Sequence, residues 1–235
     1  MTQEYLFPGQ IQVIENAATN IRDKLLIHLL YYLGCRISEL LGIATENIDF
    51  ESGKVTIVHL KSRVYLNCQN CSNKLGLKHE YCPECGVKSD LTSLERSERR
   101  RQRQLPLDSA SLDMIKTYIE QGGLVLHNGK YYLFGINRHR AWQVIRDCAR
   151  KAGLTTLVNP ETGKTRGISP HRLRDAFAVH AMKIDDSGEG MRLLQEHLGH
   201  TSFNTTARYR KIAGEEHKIW YEKLWKNEHD NKNPV

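Results

Sequence analysis

Apolar positions recur at helical spacing along much of the chain. Between Ile21 and Leu41 they fall at Leu25, Leu26, Leu29, Leu30, Leu33, Leu40 and Leu41, and Gly34 interrupts the run, so two helices are expected on either side of it. The period then changes. Gly53-Lys54-Val55-Thr56-Ile57-Val58-His59-Leu60 alternates like a strand with one buried face, and Gln102-Arg103-Gln104-Leu105-Pro106-Leu107 reads as its partner, ending at a proline. Helical patterns resume over 109–121, 138–151, 170–183, 189–198 and 214–226, while the stretch Asn159 to Lys164 is rich in turn formers. The pattern predicts a mainly α fold with a small antiparallel β-sheet, in the α+β class.

Composition narrows the class. The chain has 235 residues, 40% hydrophobic and 26% charged, which is enough for a substantial core and argues against a disordered, collagenous or coiled-coil protein. No apolar run approaches the ~20 residues that span a bilayer. The start Met-Thr-Gln-Glu is acidic and polar, unlike a signal peptide. The expectation is a soluble cytoplasmic chain with no membrane partner. Lys and Arg number 34 against 27 Asp and Glu, a formal excess of +7 that suits an anionic partner only if it is concentrated in one place.

The cysteines change the picture further. Cys35 and Cys148 stand singly in apolar, helix-like sequence and read as small buried hydrophobes. Cys68-Gln69-Asn70-Cys71 and Cys82-Pro83-Glu84-Cys85 form two Cys-x-x-Cys turns ten residues apart. Each such turn places two thiolates on one side of a metal, and two turns close a tetrahedron with no open position, the chemistry of structural Zn²⁺. The alternative, a pair of disulfides, fits poorly with a chain lacking an export signal. His79 lies between the pairs as a substitute ligand. Residues 64–90 hold few large apolar side chains, so the metal would supply folding free energy that this segment's own core cannot. The zinc segment therefore reads as an inserted zinc ribbon or knuckle at the tip of the hairpin, spanning 64–100.

Lys61 to Gln104 carries ten basic residues and five acidic ones, so much of the charge excess lies in the hairpin and its insertion. Four thiolates and one Zn²⁺ together add −2, which lowers the whole-chain figure to about +5. Arg96, Arg99, Arg100, Arg101 and Arg103 form a basic run where the insertion rejoins the second strand, and Arg138, His139 and Arg140 open a later helix. Such runs are usually solvated faces; beside a phosphate they are candidate backbone contacts.

Four further clusters bear chemistry. Gly34-Cys35-Arg36-Ile37-Ser38-Glu39-Leu40 sets one arginine among core-like leucines, with Glu39 three residues on as a simple partner. Ser169-Pro170-His171-Arg172-Leu173-Arg174-Asp175 starts a helix with His171 and Arg174 on one face, where cations are disfavoured unless something negative offsets them. Leu198-Gly199-His200 ends a helix, and Tyr209 follows nine residues later between Arg208 and Arg210.

In this order the boxes resemble those of the tyrosine recombinases, the phage-integrase and chromosome-dimer-resolving family. Arg36 matches the Gly-x-Arg-x-Ser-Glu-Leu box, His171 and Arg174 the His-x-Leu-Arg box, and Leu198-Gly199-His200 and Thr205-Thr206-Ala207-Arg208-Tyr209 the last two segments. The resemblance covers roughly residues 8 to 215 apart from the insertion. Asp175 stands where a second histidine is common, Arg210-Lys211 follow the tyrosine, and the zinc segment replaces the hairpin tip.

The resemblance implies a site-specific recombinase or integrase whose catalytic domain fills 1–235, without the N-terminal core-binding domain that family members usually carry. Arg36 and Arg174 would clamp the phosphate, His171 would act as base or hydrogen-bonding partner there, His200 would bond a non-bridging oxygen, and Tyr209 would form a 3′-phosphotyrosyl link. Lys61, at the end of the first strand, is the positional match for the lysine that protonates the leaving 5′-oxygen. No catalytic metal or nucleotide cofactor is implied. The implied partners are double-stranded DNA and further copies of the chain, four on DNA and one without it, in a prokaryotic, viral or mobile-element setting near the nucleoid. Ile219, Trp220, Leu224 and Trp225 make a C-terminal apolar stripe that packs on its own domain or on a neighbour. Two other classes remain: a topoisomerase of the type IB kind, and a non-catalytic zinc-containing DNA-binding module with relic boxes.

Overall fold

The structure, a computed structural model, describes residues 3–76, 79–89, 94–159 and 162–210, with residues 59–66 and 94–101 followed by backbone alone. Lys78, a basic residue of the zinc segment, and the expected 214–226 helix with its Ile219 to Trp225 stripe lie outside the described residues. Two compact units divide the chain, one formed by residues 1–55 and 105–235 and the other by 56–104.

The larger unit is built around a helix with no polar face. Asn20 caps α2 (Ile21–Tyr32) by accepting from the Asp23 backbone N–H at 2.9 Å, and every residue from Leu25 to Tyr31 is buried. Helix α1 (Pro8–Asn16) packs on it through Ile11 and Ile14; Pro8 opens its first turn, an element too short for the periodic reading to single out. The brief α3 (Ile37–Leu40) follows α2 after Gly34. Three more helices surround α2: α4 (Ser109–Glu120), α5 (Arg138–Lys151) and α6 (Pro170–Ile184). Then α7 (Gly188–Leu198), the short α8 (Phe203–Ala207) and a 3-10 turn (Arg208–Arg210) close on α6 around Ala178, Val179, Met182, Met191, Leu194 and Leu198. Cys35 and Cys148 are buried without a disulfide, as expected of small hydrophobes.

A buried polar chain ties three of these helices together. Glu15 of α1 meets His28 Nδ1 at 3.2 Å, and His28 Nε2 meets Ser111 Oγ of α4 at 2.9 Å. With the carboxylate as acceptor, Nδ1 carries the proton. Ser111 is 1% exposed, so this Ser, His and Glu set braces the core and has no path to a substrate.

Strands β1 (Ile48–Asp49) and β2 (Lys54–Asn67) pair antiparallel with Ile48 opposite Val55; β2 also pairs β3 (Lys74–Leu75) and the long β4 (Leu94–Pro106). The hairpin strands thus reach Asn67 and restart at Leu94, inside the 64–100 span read as the insertion. Charged residues crowd 94–104 and hide the strand period there. Two small hairpins were not anticipated. β5 (Val125–His127) and β6 (Lys130–Tyr132) join through Asn128-Gly129, both at positive φ, and β7 (Thr156–Val158) and β8 (Thr165–Gly167) flank the turn-rich stretch.

Gly34 occupies the left-handed region (φ 53°), and a Cβ built there would overlap the Phe177 ring of α6. Gly34→Ala should therefore destabilise the protein by about 2–3 kcal/mol, from an unfavourable backbone and an overpacked contact. Urea unfolding with an unchanged m-value would show it; a loss below ~0.5 kcal/mol would place Phe177 elsewhere.

Candidate functional site

Helix α6 begins with Pro170, and the residues after it carry the chemistry. Leu173 faces the core, Arg174 is 2% exposed, and Asp175 is 6% exposed. A guanidinium so buried needs partners, and it finds them at two helix ends. Arg174 Nη1 donates to the Gly34 carbonyl, just beyond α2, at 2.8 Å, and Nη2 donates to the Leu198 carbonyl, the last of α7, at 2.8 Å. Both carbonyls are orphans of helix C-termini, where the backbone dipoles leave partial negative charge that favours a cation. That is the negative element demanded by cations at the start of α6.

Gly199 then adopts the left-handed conformation (φ 66°) and ends α7, with its N–H bonded to Gln195 and Glu196 carbonyls. This reversal brings His200 back onto Arg174: Arg174 Nη2 donates to His200 Nε2 at 3.1 Å. Because guanidinium is always a donor, Nε2 is the bare nitrogen and Nδ1 carries the proton, donated to Thr206 Oγ1 at 2.9 Å. Thr206, fully buried, accepts that hydrogen and so holds the ring in place, a role its residue type alone does not announce. Burial first, then the positive charges of Arg174, Arg36 and Arg208, hold His200 down at about 4. In this state Nε2 accepts from Arg174, so bonding a phosphate oxygen requires His200 to change partner or gain a proton.

Arg36 caps α3 with its side chain about 38% exposed. Buried Glu39 receives both its backbone N–H and its Nη1, each at 2.9 Å, so the simple ion pair and an exposed cation coexist. His171 is exposed on the first turn of α6; desolvation, together with Arg172, Arg174 and Arg208, outweighs Asp175 and lowers its pKa. Tyr209 is 5% exposed, its ring nearly parallel to that of His200 with centroids 6.3 Å apart. Its hydroxyl donates to Asp175 Oδ1 at 2.8 Å, and Arg172 Nη1 pairs with Asp175 Oδ2 at 2.8 Å. Burial, then the Asp175 charge and hydrogen bond, push the phenol above its ordinary value. Arg36, His171, Arg174, His200 and Tyr209 all lie in this larger unit. Asp175 joins them; its departure from histidine was visible in the sequence, but its contact with the phenol was not.

In the smaller unit the four predicted cysteines converge, with their sulfurs all within 4.8 Å of one another. Cys68 Sγ and Cys85 Sγ lie 3.4 Å apart and Cys71 Sγ and Cys82 Sγ 3.6 Å, far beyond a disulfide and close to the ~3.8 Å edge of a tetrahedron of thiolates about 2.3 Å from zinc. The two turns repeat one geometry. Ser72 N–H donates to the Cys68 carbonyl and Gly86 N–H to the Cys82 carbonyl, while Cys68 and Cys82 N–H donate to Asn73 and Val87 carbonyls. Ser72 (φ 57°) and Gly86 (φ 70°) occupy the same left-handed position. The Val87 backbone N–H first, then Asn70 and Cys68, draw the Cys85 thiol down to about 6, while against the Asn73 backbone bond desolvation and the other three sulfurs push Cys71 up to about 12. His79 Nδ1 instead accepts from the Gly76 N–H at 3.1 Å, so the donor set is four sulfurs.

Lys61 falls on β2, and Arg96, Arg99, Arg100 and Arg101 fall on β4; their side chains lie outside the described residues. Arg103 is half-buried on β4. Arg138 and Arg140 are exposed on the first turn of α5, which Asn137 caps by accepting from the Arg140 N–H. Among the described residues, no helix is long and apolar enough to cross a membrane.

A model of the family described as phage integrase matches residues 5–216. The chain is 28% identical over 217 residues to tyrosine recombinase XerD of Neisseria meningitidis serogroup B, a match covering 89% of this chain and 55% of that protein. It is 31% identical over 192 residues to tyrosine recombinase XerC of Roseiflexus sp., covering 82% of this chain and 48% of that one. The chain spans about half the length of the curated relatives it matches. Among solved structures, XerA recombinase superposes with a TM-score of 0.61 at 18% identity, over 95% of this chain and 66% of that one, a likeness of fold.

The protonation of His200 has a measurable consequence. The folded chain holds that proton only below about pH 4, whereas an unperturbed histidine takes it near 6.5. Between those values the unfolded state binds more protons, so this contribution to stability is complete above about pH 6.5 and is lost as pH falls toward 4. Urea unfolding from pH 4 to 7 should show a slope in this window that His200→Gln reduces. ¹⁵N spectra should show a neutral Nδ1–H ring at pH 7; a ring titrating near 6.5 would contradict the assignment.

Proposed function

We propose that this chain, which belongs to the phage integrase family, cleaves and rejoins DNA at specific sites through a covalent bond between Tyr209 and a DNA 3′-phosphate. The observation that carries the reading is the convergence of Arg174, His200 and Tyr209 with Arg36 and His171 in one positive field.

A phosphate diester is anionic and repels nucleophiles, so its oxygens must be neutralised, an attacking group positioned and the leaving group protonated. Arg36 and Arg174 supply fixed positive charge, and planar guanidinium forks suit non-bridging oxygens. Arg174 reaches that position already oriented by two helix ends, so little reorganisation accompanies binding. His171 and His200 add hydrogen bonds at the phosphate. Tyr209 attacks phosphorus, the 3′-phosphotyrosyl bond forms, and the 5′-oxygen departs with a proton from Lys61. The bond energy stays in the link, so attack by another strand's 5′-hydroxyl reseals DNA without a nucleotide cofactor. Arg96, Arg99, Arg100, Arg101, Arg103, Arg138 and Arg140 contact DNA phosphates. Synapsis brings four copies together on two duplexes, in the cytoplasm of a prokaryote or under the control of a mobile element.

Cys68, Cys71, Cys82 and Cys85 would hold one structural Zn²⁺ in a shell of four sulfurs with no open position, which would cross-link the two turns and take no part in the DNA chemistry. The segment they organise, with exposed Lys74 and Lys88, extends the DNA footprint.

Two measurements test these assignments. A target site selected from random duplexes, placed in a nicked suicide substrate, should give an SDS-resistant protein–DNA adduct that Tyr209→Phe abolishes; retention of the selected site without an adduct would favour the relic binding module. Elemental analysis of the purified chain should give about one zinc per molecule, lost in Cys71→Ser together with Cys82→Ser. Zinc-free protein with oxidised cysteines would restore the disulfide alternative.

A further inference from the structure

The carboxylate of Asp175 divides its two oxygens between a fixed cation and the nucleophile. Oδ2 is pinned by Arg172 Nη1 at 2.8 Å, one turn away on α6, and Oδ1 faces Tyr209 Oη at 2.8 Å. Both Asp175 and Tyr209 are buried, so water does not compete strongly for the bond. The distance lies within the range over which a side chain can take a proton directly.

We propose that Asp175 is the general base that removes the Tyr209 hydroxyl proton as the phenol oxygen attacks phosphorus. This rests on Tyr209 being the nucleophile and specifies how that nucleophile is activated. Burial and the adjacent carboxylate raise the phenol above its ordinary value, so a phenolate formed in advance is disfavoured and the proton leaves in step with attack. Its destination follows from the contacts. His200 has Nε2 against the Arg174 guanidinium and Nδ1 against Thr206, so neither ring nitrogen is turned to the phenol. For His171, desolvation together with Arg172, Arg174 and Arg208 outweighs the pull of Asp175 and opposes its becoming a cation. Asp175 Oδ1 already accepts the hydroxyl hydrogen.

The step balances without a further reactant. The Tyr209 O–H bond breaks, its hydrogen passes to Asp175 Oδ1 as a proton, and an oxygen electron pair becomes the new O–P bond. The P–O5′ bond breaks with its pair on the 5′-oxygen, which is protonated by the acid. Asp175 becomes a neutral carboxylic acid still bonded to Arg172. Resealing runs the same path backwards, with Asp175 returning the proton to the departing phenol oxygen.

The test compares single-turnover adduct formation by the wild-type chain, Asp175→Asn, Asp175→Ala and Tyr209→Phe on the nicked duplex bearing the selected site. Asn keeps the volume and an oxygen for Arg172; Ala opens space for a small carboxylate. Thermal unfolding of each variant identifies the folded ones before rates are compared. Asp175→Asn should be slower than wild type by about 10²- to 10⁴-fold. Asp175→Ala should be comparably slow and should regain rate in proportion to added formate, a response that a purely structural loss would not give. A wild-type adduct with an Asn variant as fast or faster, or an Ala variant indifferent to formate, overturns the role of Asp175 while leaving Tyr209 as nucleophile. No Tyr209-dependent adduct from the wild-type chain overturns both readings.

Discussion

The buried guanidinium of Arg174 is the interaction on which the site and much of its surroundings depend. A buried, unpaired cation would cost several kcal/mol, and this one is held by two backbone carbonyls at helix C-termini and by a neutral imidazole. Each partner imposes its own requirement. The carbonyl of residue 34 is presented by a left-handed residue packed against Phe177, so glycine is needed there. The carbonyl of Leu198 stays available because Gly199 turns the chain away at the end of α7. One side chain thus joins α2, α6 and α7, and the stability of the helical unit and the placement of its buried positive charge are the same arrangement.

That charge in turn sets the protonation of its neighbours. Burial and the positive groups around His200 keep its ring neutral, and Arg174, which can only donate, leaves the hydrogen on the nitrogen that faces Thr206. Burial, with Asp175, keeps the Tyr209 hydroxyl protonated. A strongly positive field therefore coexists with a protonated phenol.

The sequence disclosed the parts of this design that depend on residue identity at fixed spacing. Arg36, His171, Arg174, His200 and Tyr209 were legible as boxes, and the four cysteines as two matched turns. Long helices were legible from their period, with α5 spanning the expected residues. Less was visible where a role arises from a partner distant in the chain. Nothing local to Asp175 reveals that it faces a tyrosine 34 residues later, and Thr206 reads as an ordinary helix residue. The charged first half of β4 lacks alternation, so its extent appears only through pairing with β2. The β5–β6 hairpin did have a local signature in Asn128-Gly129, but its strands are mostly exposed and too short to stand out by hydrophobicity. Serine at position 72 conceals a left-handed residue that glycine announces at the matching position 86.

The bond from Arg174 to Gly34 closes a separation of 140 residues, and its companion contacts reach Leu198 and His200 still further along. Contacts this distant form late, after the intervening chain has been made and loop closure has been paid for in entropy. A growing chain on the ribosome can assemble α1, α2 and α4 first, but it lacks the set that orients Arg174 until α7 has emerged, and the phenol follows that. Copies that stop short of α7 therefore hold Arg174 without the carbonyl and imidazole that orient it, and they lack the Tyr209 phenol altogether.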